Sequence, residues 1–251
     1  MSAADTPHTA IVTGAASGFG AIAARALHEA GHRIVVSDID EDGARRLANE
    51  LDPAGRTAMA AALNVRRPAD FERVRDTAID RWGSVEILVN NAAVTVARPL
   101  LEIDPAEFND VMATNAGGVF AGCQILARHF RERGYGRIVN LASLAGQNGG
   151  TATGGHYAAS KGAIMTLTKV FARDLAPFGI TVNAVAPGPM DTPLVHKLVP
   201  AEKMQGLLGS IPVGQLIDPA FVASVIVLLA SPTASSVTGA CWDVNGGLFM
   251  R

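Results

Sequence analysis

The 251-residue chain has little cysteine, few aromatic residues and almost no net charge. Its two cysteines, Cys123 and Cys241, stand far apart and without metal-ligand spacing, which argues against a disulfide framework or a zinc site and favours reduced, partly buried thiols. A formal net charge of -2 provides no basic field for nucleic acid or anionic lipid. We therefore expect a small-molecule partner, and neither nucleic acid, a membrane nor a metal.

The chain also lacks an N-terminal segment in which basic residues lead into an apolar run, so we expect no export signal and a cytoplasmic protein. Hydrophobic residues make up 49% of the sequence and charged residues 18%, which is enough apolar material for a core. No linker, repeat or low-complexity tract interrupts the sequence. We expect a single domain over residues 1–251.

Short apolar runs alternate with amphipathic segments of helical length along the whole chain. The runs predict strands at 9–13, 33–37, 58–63, 85–90, 137–143, 180–186 and 241–244. They are continuously apolar, as buried parallel strands require. This order predicts an α/β, Rossmann-type doubly wound fold with a mainly parallel seven-stranded sheet and helices on both faces. The irregular segment 187–218 is either a mobile substrate lid or a plain surface excursion.

The glycine-rich segment TGAASGFG follows the first predicted strand and leads into a helix. Gly14, Gly18 and Gly20 allow a tight turn, close approach of the backbone to a phosphate, and close helix–sheet packing. Free N–H groups at the start of the helix would face the anion. A tight strand–helix turn without a ligand is the alternative, and the strand–helix–strand setting favours a dinucleotide site.

An acidic residue ends the second predicted strand. Asp38 lies eighteen residues beyond Gly20, and its carboxylate can accept hydrogen bonds from ribose hydroxyls and would repel a 2′-phosphate. No Arg or Lys lies between Ile34 and Asp42 to neutralise such a phosphate. Asp38 therefore favours NAD as the cofactor over NADP. The alternative role for Asp38 is the N-cap of the helix that starts near Glu41.

Three further motifs complete a family pattern. The sequence NNAA follows the fourth predicted strand, YAASK lies on a later helix, and PGPMDTP follows the sixth strand. With the spacing of the glycine segment, they make the sequence resemble the short-chain dehydrogenase/reductase family over nearly its whole length. The resemblance implies an NAD(P)-dependent oxidoreductase that interconverts a secondary alcohol and a ketone, and Asp38 makes NAD the expected cofactor. It also implies a homotetramer, formed through helices near 105–133 and 155–176 and through the last strand region.

The resemblance assigns the catalytic roles to Asn115, Ser143, Tyr157 and Lys161. Tyr157 and Lys161 stand four residues apart, on one face of a helix. We expect the Lys161 ammonium to lower the pKa of the Tyr157 phenol, about 10 when unperturbed, so that Tyr157 serves as general acid/base. Ser143 would hydrogen-bond the substrate oxygen, and Asn115 would hold a water that links Lys161 to solvent. The alternatives are a turn serine, a buried helix asparagine bonded to backbone, and an amphipathic core tyrosine.

The same resemblance implies a set of cofactor contacts. They fall on Gly14, Ser17, Gly18, Phe19, Gly20, Asp38, Asn64, Val65, Asn91, Ala92, Tyr157, Lys161, Pro187, Gly188 and Thr192, and we also expect Asn90 to border the adenosine. Asn64 stands where the family usually has Asp, and an amide can still bind adenine because it both donates and accepts. Ala93 replaces the usual Gly of NNAA, and Asn245 a common Asp; we expect neither to remove activity.

The substrate is expected over the C-terminal strand ends, between loops around 94–98, 144–156 and 190–198. These loops favour a neutral, moderately polar alcohol or ketone, because they offer Thr95, Gln147, Asn148, Thr151 and His156 beside Leu144, Val96, Met190 and Leu194. His156 adjoins Tyr157 but points about 100° around the helix, so we interpret it as a rim residue rather than a proton carrier.

A 3-oxoacyl-acyl-carrier-protein reductase is an alternative within the enzyme class. Docking of an acidic carrier needs exposed basic residues near the site mouth. Arg131, Arg133 and Arg137 are available, but Phe178 stands where a basic residue would help. Biosynthetic reductions usually draw on NADPH, which the Asp38 prediction disfavours.

A non-catalytic nucleotide-binding sensor is an alternative of another class. The same fold could bind the cofactor without chemistry. Intact Ser143, Tyr157 and Lys161 argue against this reading, since such proteins lose a member of the set.

Overall fold

The computed structural model describes residues 7–150 and 153–250. Seven strands form one sheet: β1 Thr9–Thr13, β2 Arg33–Asp38, β3 Ala58–Ala62, β4 Ile87–Asn90, β5 Gly136–Leu141, β6 Ile180–Pro187 and β7 Cys241–Val244. Their order is β3-β2-β1-β4-β5-β6-β7, and every neighbouring pair is parallel. The Rossmann-type fold is confirmed, and the described sheet is wholly parallel. The chain reverses its direction of winding between β1 and β4, the usual ligand position in such sheets.

Ten helices accompany the strands in the described part of the chain. They are α1 Gly18–Glu29, α2 Glu41–Leu51, α3 Pro68–Trp82, α4 Pro105–Met112, α5 Gly118–Arg133, α6 Ala145–Asn148, α7 Gly155–Leu175, α8 Pro193–Leu198, α9 Ala201–Ser210 and α10 Pro219–Ala230. Apolar residues at helical spacing, such as Phe71, Val74 and Ala78 of α3, form the buried stripes. Helices α1, α2 and α10 cover one face of the sheet, and α3, α5 and α7 cover the other.

The long helix expected over 105–133 is interrupted. A π-helical turn, Ala113–Gly117, separates α4 from α5 and carries Asn115 at its middle. Such turns inside helices occur frequently at functional sites, because the extra residue redirects a side chain or carbonyl.

Segment 187–218 contains regular structure, so its description as irregular was wrong. Helices α8 and α9 occupy half of it. Backbone hydrogen bonds close its base: Asp191 N–H donates to the Ile217 carbonyl, and Ile217 N–H donates to the Pro189 carbonyl, both over 2.9 Å. The two ends of the excursion are therefore hydrogen-bonded to each other just after β6. Its role as a lid stays a prediction.

Within residues 7–150 and 153–250, no helix combines the length and the apolar character needed to cross a lipid bilayer.

Candidate active site

The predicted site residues lie along one edge of the sheet. Because all strands are parallel, their carboxyl ends meet at this edge. The glycine segment leaves β1, Asp38 ends β2, Asn91 follows β4, Ser143 follows β5 and Pro187 ends β6. The structure thus gathers residues that are far apart in the sequence.

The turn after β1 has no room for side chains at two positions. Gly14 has a positive φ of 64°, and a Cβ on it would lie 2.7 Å from the Ala92 Cα. A Cβ on Gly20 would collide with the Gly14 carbonyl oxygen. Ser17 precedes α1 as its N-cap, but its side chain makes no capping hydrogen bond. The Ser17 side chain therefore leaves the first N–H groups of α1 uncapped, which suits the binding of an anion at this turn.

Asn91 holds this turn in place. Its Nδ2 donates to the carbonyl oxygens of Thr13 and Gly14, each over 2.9 Å. The Thr13 hydroxyl in turn accepts from the N–H groups of Asn91 and Ala92. Asn91 and Ala92 thus shape the glycine turn through β4, a role that spacing alone did not indicate.

Asn90 points the other way, into the core. Its Nδ2 donates to Asn140 Oδ1 over 2.9 Å, and Asn140 Nδ2 donates to the Thr168 hydroxyl over 3.0 Å. All three side chains are buried. The expectation that Asn90 borders the adenosine is wrong for its side chain, because adjacent residues of a strand face opposite sides of the sheet.

The Asp38 carboxylate lies against the glycine turn. Its Oδ2 accepts from Ala16 N–H over 2.9 Å, and its Oδ1 accepts from Asp40 N–H over 3.0 Å. The N-cap of α2 is Asp40, which accepts from Gly43 N–H. Asp38 therefore does not cap that helix. Arg46 of α2 lies beyond residues 34–42, but its guanidinium comes within 3.8 Å of Asp40 Oδ2.

Beyond β3, the Asn64 side chain shapes a tight turn. Its Oδ1 accepts from Arg66 N–H over 3.0 Å, and its own N–H donates to Asp70 Oδ2 over 2.9 Å. Val65 is buried, and its side chain packs where a Cβ on Gly118 would lie. An adenine ring could therefore meet the Asn64 amide nitrogen and backbone groups here, while the Val65 side chain belongs to the core.

The Tyr157 phenol meets Ser143 and Thr95. The side chains of both residues hydrogen-bond to the phenol, which lowers its pKa. Ser143 Oγ also accepts from Ala145 N–H over 3.1 Å, which orients the hydroxyl at the start of α6. Thr95 lay in a predicted substrate loop, but no sequence pattern marked it as a partner of Tyr157.

Burial dominates the acid–base behaviour of the pair. Desolvation raises the pKa of Tyr157 above its ordinary 10.0 despite those hydrogen bonds. Burial lowers the pKa of Lys161 to about 8. The Lys161 Nζ lies 5.6 Å from the centre of the Tyr157 ring and donates to the Leu141 carbonyl over 2.5 Å. In this structure the expected lowering of the Tyr157 pKa by Lys161 is not found, because the ammonium faces a backbone carbonyl.

Asn115 fastens the loop after β4 to α7. Its Oδ1 accepts from Val94 N–H over 2.8 Å, and its Nδ2 donates to the Val94 carbonyl and to Ser160 Oγ, both over 3.0 Å. Ser160 Oγ donates to the Tyr157 carbonyl over 2.7 Å. The side chain thus bonds to the backbone of Val94 and to Ser160, as one alternative for it held.

The segment after β6 begins at a close contact with β7. Gly188 N–H donates to the Val244 carbonyl over 2.9 Å, and a Cβ on Gly188 would lie 3.0 Å from the Asn245 Cα. Pro187 pairs with Val244 in the sheet. Thr192 is the N-cap of α8 and accepts from Val195 N–H over 3.5 Å. Pro187 and Gly188 therefore border the site with their backbone, while Thr192 holds the next helix.

The two departures from the family pattern fit the local backbone. No described residue other than glycine has a positive φ, so the position of Ala93 does not demand glycine. Asn245 is buried, and its Oδ1 accepts from Gly247 N–H over 2.9 Å. An amide therefore satisfies this turn.

His156 is not a rim residue, so that interpretation was wrong. Its side chain is fully buried, with Nε2 3.0 Å from Glu107 Oε1 of α4. Arg98 forms a bidentate ion pair with the same carboxylate, which holds the pKa of Glu107 below its usual value. Neither Glu107 nor its pairing with His156 could be read from the sequence, because 49 residues separate them.

The other residues of the predicted substrate loops differ in their hydrogen-bond partners and in their exposure. Gln147 Nε2 donates to Asp243 of β7, and Asn148 Oδ1 accepts from Gly150 N–H over 2.9 Å. Leu144 is buried and Leu194 exposed. Thr151 lies outside the described residues.

A parallel sheet with a glycine turn at its reversal point, and a tyrosine, serine and lysine at the same edge, is the architecture of a dinucleotide-dependent oxidoreductase. The family model described as enoyl-(acyl carrier protein) reductase matches residues 14–249. The 3-oxoacyl-(acyl-carrier-protein) reductase of Vibrio cholerae is 37% identical over 241 residues, which cover 96% of this chain and 97% of that protein.

Two dehydrogenases are similarly close. The 4-formylbenzenesulfonate dehydrogenase of Comamonas testosteroni is 40% identical, covering 95% of this chain and 96% of its own. The cis-4-hydroxycyclohexanecarboxylate dehydrogenase of Sinomonas cyclohexanicum is 39% identical, covering 98% of both chains. The chain belongs to the short-chain dehydrogenase/reductase family. It is an oxidoreductase of that family, whose members use a nicotinamide cofactor.

Proposed function

We propose that this protein is an NAD-dependent oxidoreductase that interconverts a secondary alcohol and a ketone, with Tyr157 as general acid/base. The observation that carries the proposal is the meeting of Ser143, Thr95 and Lys161 around Tyr157 at the edge that holds the glycine turn. A core tyrosine with a stabilising role would not need two hydroxyl partners at its phenol.

The residues present fit a nicotinamide dinucleotide. The uncapped start of α1 and the side-chain-free space at Gly14 and Gly20 suit a pyrophosphate, which requires close backbone approach. When bound, the cofactor would accept or supply the hydride of the reaction. The residues that would hold it are Gly14, Ser17, Gly18, Phe19, Gly20, Asp38, Asn64, Val65, Asn91, Ala92, Tyr157, Lys161, Pro187, Gly188 and Thr192.

The placement of Asp38 supports NAD. Two backbone N–H groups hold its carboxylate beside the turn, and each oxygen keeps a further lone pair for a ribose hydroxyl. A 2′-phosphate at the same place would meet this negative charge. Arg46 is the observation that favours NADP, although it already lies within 3.8 Å of Asp40. A carboxylate fixed by two hydrogen bonds outweighs an exposed, screened arginine.

Side chains of this protein can donate a proton to the substrate in ketone reduction and accept one in alcohol oxidation. At neutral pH the Tyr157 phenol keeps its proton, because burial raises its pKa, and it can donate that proton to a ketone oxygen. In alcohol oxidation it must accept the proton, and the hydrogen bonds from Ser143 and Thr95 support the phenolate. The Lys161 Nζ lies 5.6 Å from the centre of the phenol ring in the same buried region.

The remaining assignments complete the proposal. We place the protein in the cytoplasm as a homotetramer with one domain over 1–251, and segment 187–218 as its substrate lid. Two features support the lid: its closed base at Met190 and Ile217, and its position after β6 at the ligand-binding edge.

A 3-oxoacyl-acyl-carrier-protein reductase is the second candidate, because the Vibrio cholerae relative carries that name. The proposed docking arginines do not support it. Arg137 is buried and donates to the carbonyls of Ser231 and Gly179, so it is not available to a carrier. Arg131 stacks on Phe178, and with Arg133 it ends α5 just before β5 starts. That end of the sheet is opposite to the site. A non-catalytic sensor does not require the contacts at the Tyr157 phenol.

The test starts with fluorescence titration of NADH against NADPH. Turnover is then measured with cyclohexanol, cis-4-hydroxycyclohexanecarboxylate, 4-formylbenzenesulfonate and an acetoacetyl thioester. Tight NADH binding with turnover of an alcohol supports the proposal. NADPH preference with turnover of the thioester alone supports the reductase, and binding without any turnover supports the sensor.

Replacing the phenol separates chemistry from binding. Tyr157→Phe should lower turnover by about 10²-fold to 10⁴-fold and leave NADH affinity within about twofold, because only the acid/base group is lost. Tyr135→Phe is the matched control, since its buried hydroxyl has no hydrogen-bond partner in the described structure. Near-normal turnover of Tyr157→Phe would remove Tyr157 as the acid/base.

A further inference from the structure

The loop that carries Thr95 is fastened on both sides of this residue. We define the substrate loop as residues 94–98. Both backbone groups of Val94 bond to Asn115, and the Val96 carbonyl accepts from Gly154 N–H over 3.0 Å. At its end, Arg98 pairs with Glu107 through three nitrogen–oxygen distances of 2.8 to 2.9 Å. The position of Thr95 at the Tyr157 phenol therefore depends on these attachments.

One of these attachments leads directly to Tyr157 through His156. The His156 Nδ1 accepts from the backbone N–H of Tyr157 over 3.0 Å, which requires that this nitrogen be unprotonated. The proton of the neutral ring then lies on Nε2, which donates to Glu107 Oε1 over 3.0 Å. Both nitrogens are thus engaged, and the Glu107 carboxylate accepts from Arg98 on its other side.

The His156 ring is closely surrounded on the side of Gly154. The His156 side chain is fully buried, and it folds back over the start of α7. A Cβ on Gly154 would collide with the ring and would lie 2.8 Å from the Val96 carbonyl oxygen. The missing side chain at Gly154 therefore admits both the imidazole ring and the substrate loop. The ring is the buried end of this polar chain, whereas the side chains of Glu107 and Arg98 are 24% and 41% exposed. Loss of the Glu107 acceptor would therefore leave a buried imidazole N–H without a partner.

We propose that His156 is a positioning residue for the reaction, and that it couples the substrate loop to Tyr157 through Glu107 and Arg98. The inference rests on the proposed function of Tyr157 as general acid/base. When the loop occupies the observed position, the relay of Arg98, Glu107 and His156 holds the first turn of α7, and Thr95 reaches the phenol. Displacement of the substrate loop would therefore remove Thr95 from the phenol and Arg98 from Glu107 at the same time.

Two substitutions separate this role from simple helix capping. His156→Asn retains an oxygen at the place of Nδ1, which can accept from Tyr157 N–H, but it has no donor that reaches Glu107. Glu107→Gln retains an acceptor for His156 but weakens the ionic attachment of Arg98. The matched control is Asp110→Asn, which removes a carboxylate from the same helix, where Asp110 pairs with Arg66 over 3.0 Å at an exposed position.

The first readout needs neither cofactor nor substrate. The chain has two tyrosines, so in a Tyr135→Phe background a ¹³Cζ-tyrosine label gives a single resonance, from Tyr157. At about pH 7, His156→Asn and Glu107→Gln should move this resonance in the direction caused by Thr95→Val, which removes a hydrogen bond to the phenol. Asp110→Asn should leave the resonance unchanged. An unchanged resonance in His156→Asn overturns the proposal, because capping alone would then explain the residue.

The second readout is the division of the kinetic effect. With the panel compound that the wild-type enzyme turns over, both relay variants should lower kcat by about tenfold or more while the NADH dissociation constant stays within about twofold. A change in cofactor affinity with an unchanged kcat overturns the positioning role. Failure of the proposed function would give a different result. Tyr157→Phe would then keep its turnover, while the Tyr157 resonance of the relay variants would still move as predicted.

Discussion

Replacing Lys161 with methionine should stabilise the unliganded protein while it removes activity. The Lys161 side chain is only 3% exposed, and burial lowers its pKa from 10.5 to about 8. The fold therefore disfavours the ammonium form. A difference of this size corresponds to about 3 kcal/mol of destabilisation when the group is fully protonated in both the folded and unfolded states.

The net gain is smaller, because the Leu141 carbonyl loses its hydrogen-bond donor in the variant. That loss costs about 1 kcal/mol, so Lys161→Met should be more stable than the wild type by about 2 kcal/mol near pH 7. The penalty on the wild type is full below the folded pKa of about 8 and disappears as the pH rises through 10.5. Near pH 9.5 the difference should fall below about 1 kcal/mol.

Urea unfolding followed by tryptophan fluorescence measures this difference at both pH values, at several protein concentrations. Lys169→Met is the matched control, because Lys169 is an exposed lysine of the same helix α7. It should change stability by less than about 0.5 kcal/mol at either pH. If Lys161→Met is less stable than the wild type by the same amount at both pH values, the buried ammonium is not a cost, and the burial argument for this pair is refuted.

The remaining predictions concern cofactor choice and acid stability. Asp38→Ala should raise affinity for NADPH relative to NADH by about tenfold or more in fluorescence titrations. An unchanged affinity ratio in this variant would show that another group contacts the ribose. Arg46→Gln should reduce any residual NADPH binding. The stacked His8 and His32 have lowered pKa values, chiefly through burial, so the fold disfavours their imidazolium forms and stability should decrease as the pH falls through 6.5. His8→Phe should flatten this decrease in urea unfolding, and an unchanged pH dependence in that variant would contradict the burial argument.

The order of elements and the position of the glycine turn were predictable from the sequence. Apolar runs such as 33–37 and 180–186 are continuous because both faces of a central parallel strand are covered. The Tyr157–Lys161 pair was also predictable, since residues four apart on a helix share a face whatever surrounds them. These features depend on local periodicity, which a single sequence displays directly.

The orientation of polar side chains at the site was not predictable in the same way. Asn90 and Asn91 are chemically identical neighbours, yet one bonds to Asn140 in the core and the other to the glycine turn. Arg137 resembled a surface arginine and is buried among backbone carbonyls. In each case the partner comes from an element many residues away, so its identity depends on sheet order and register.

The sequence by itself determined the parallel doubly wound sheet, the glycine turn and the residues that reach the carboxyl edge, because burial and periodicity are properties of each segment. Only the tertiary structure decided which hydrogen bonds these residues form and how deeply they are buried. It directed the Lys161 ammonium to the Leu141 carbonyl, placed Thr95 at the phenol and joined His156 to Glu107. Hydrogen bonds and desolvation act over a few ångströms, and folding alone sets which distant residues come that close.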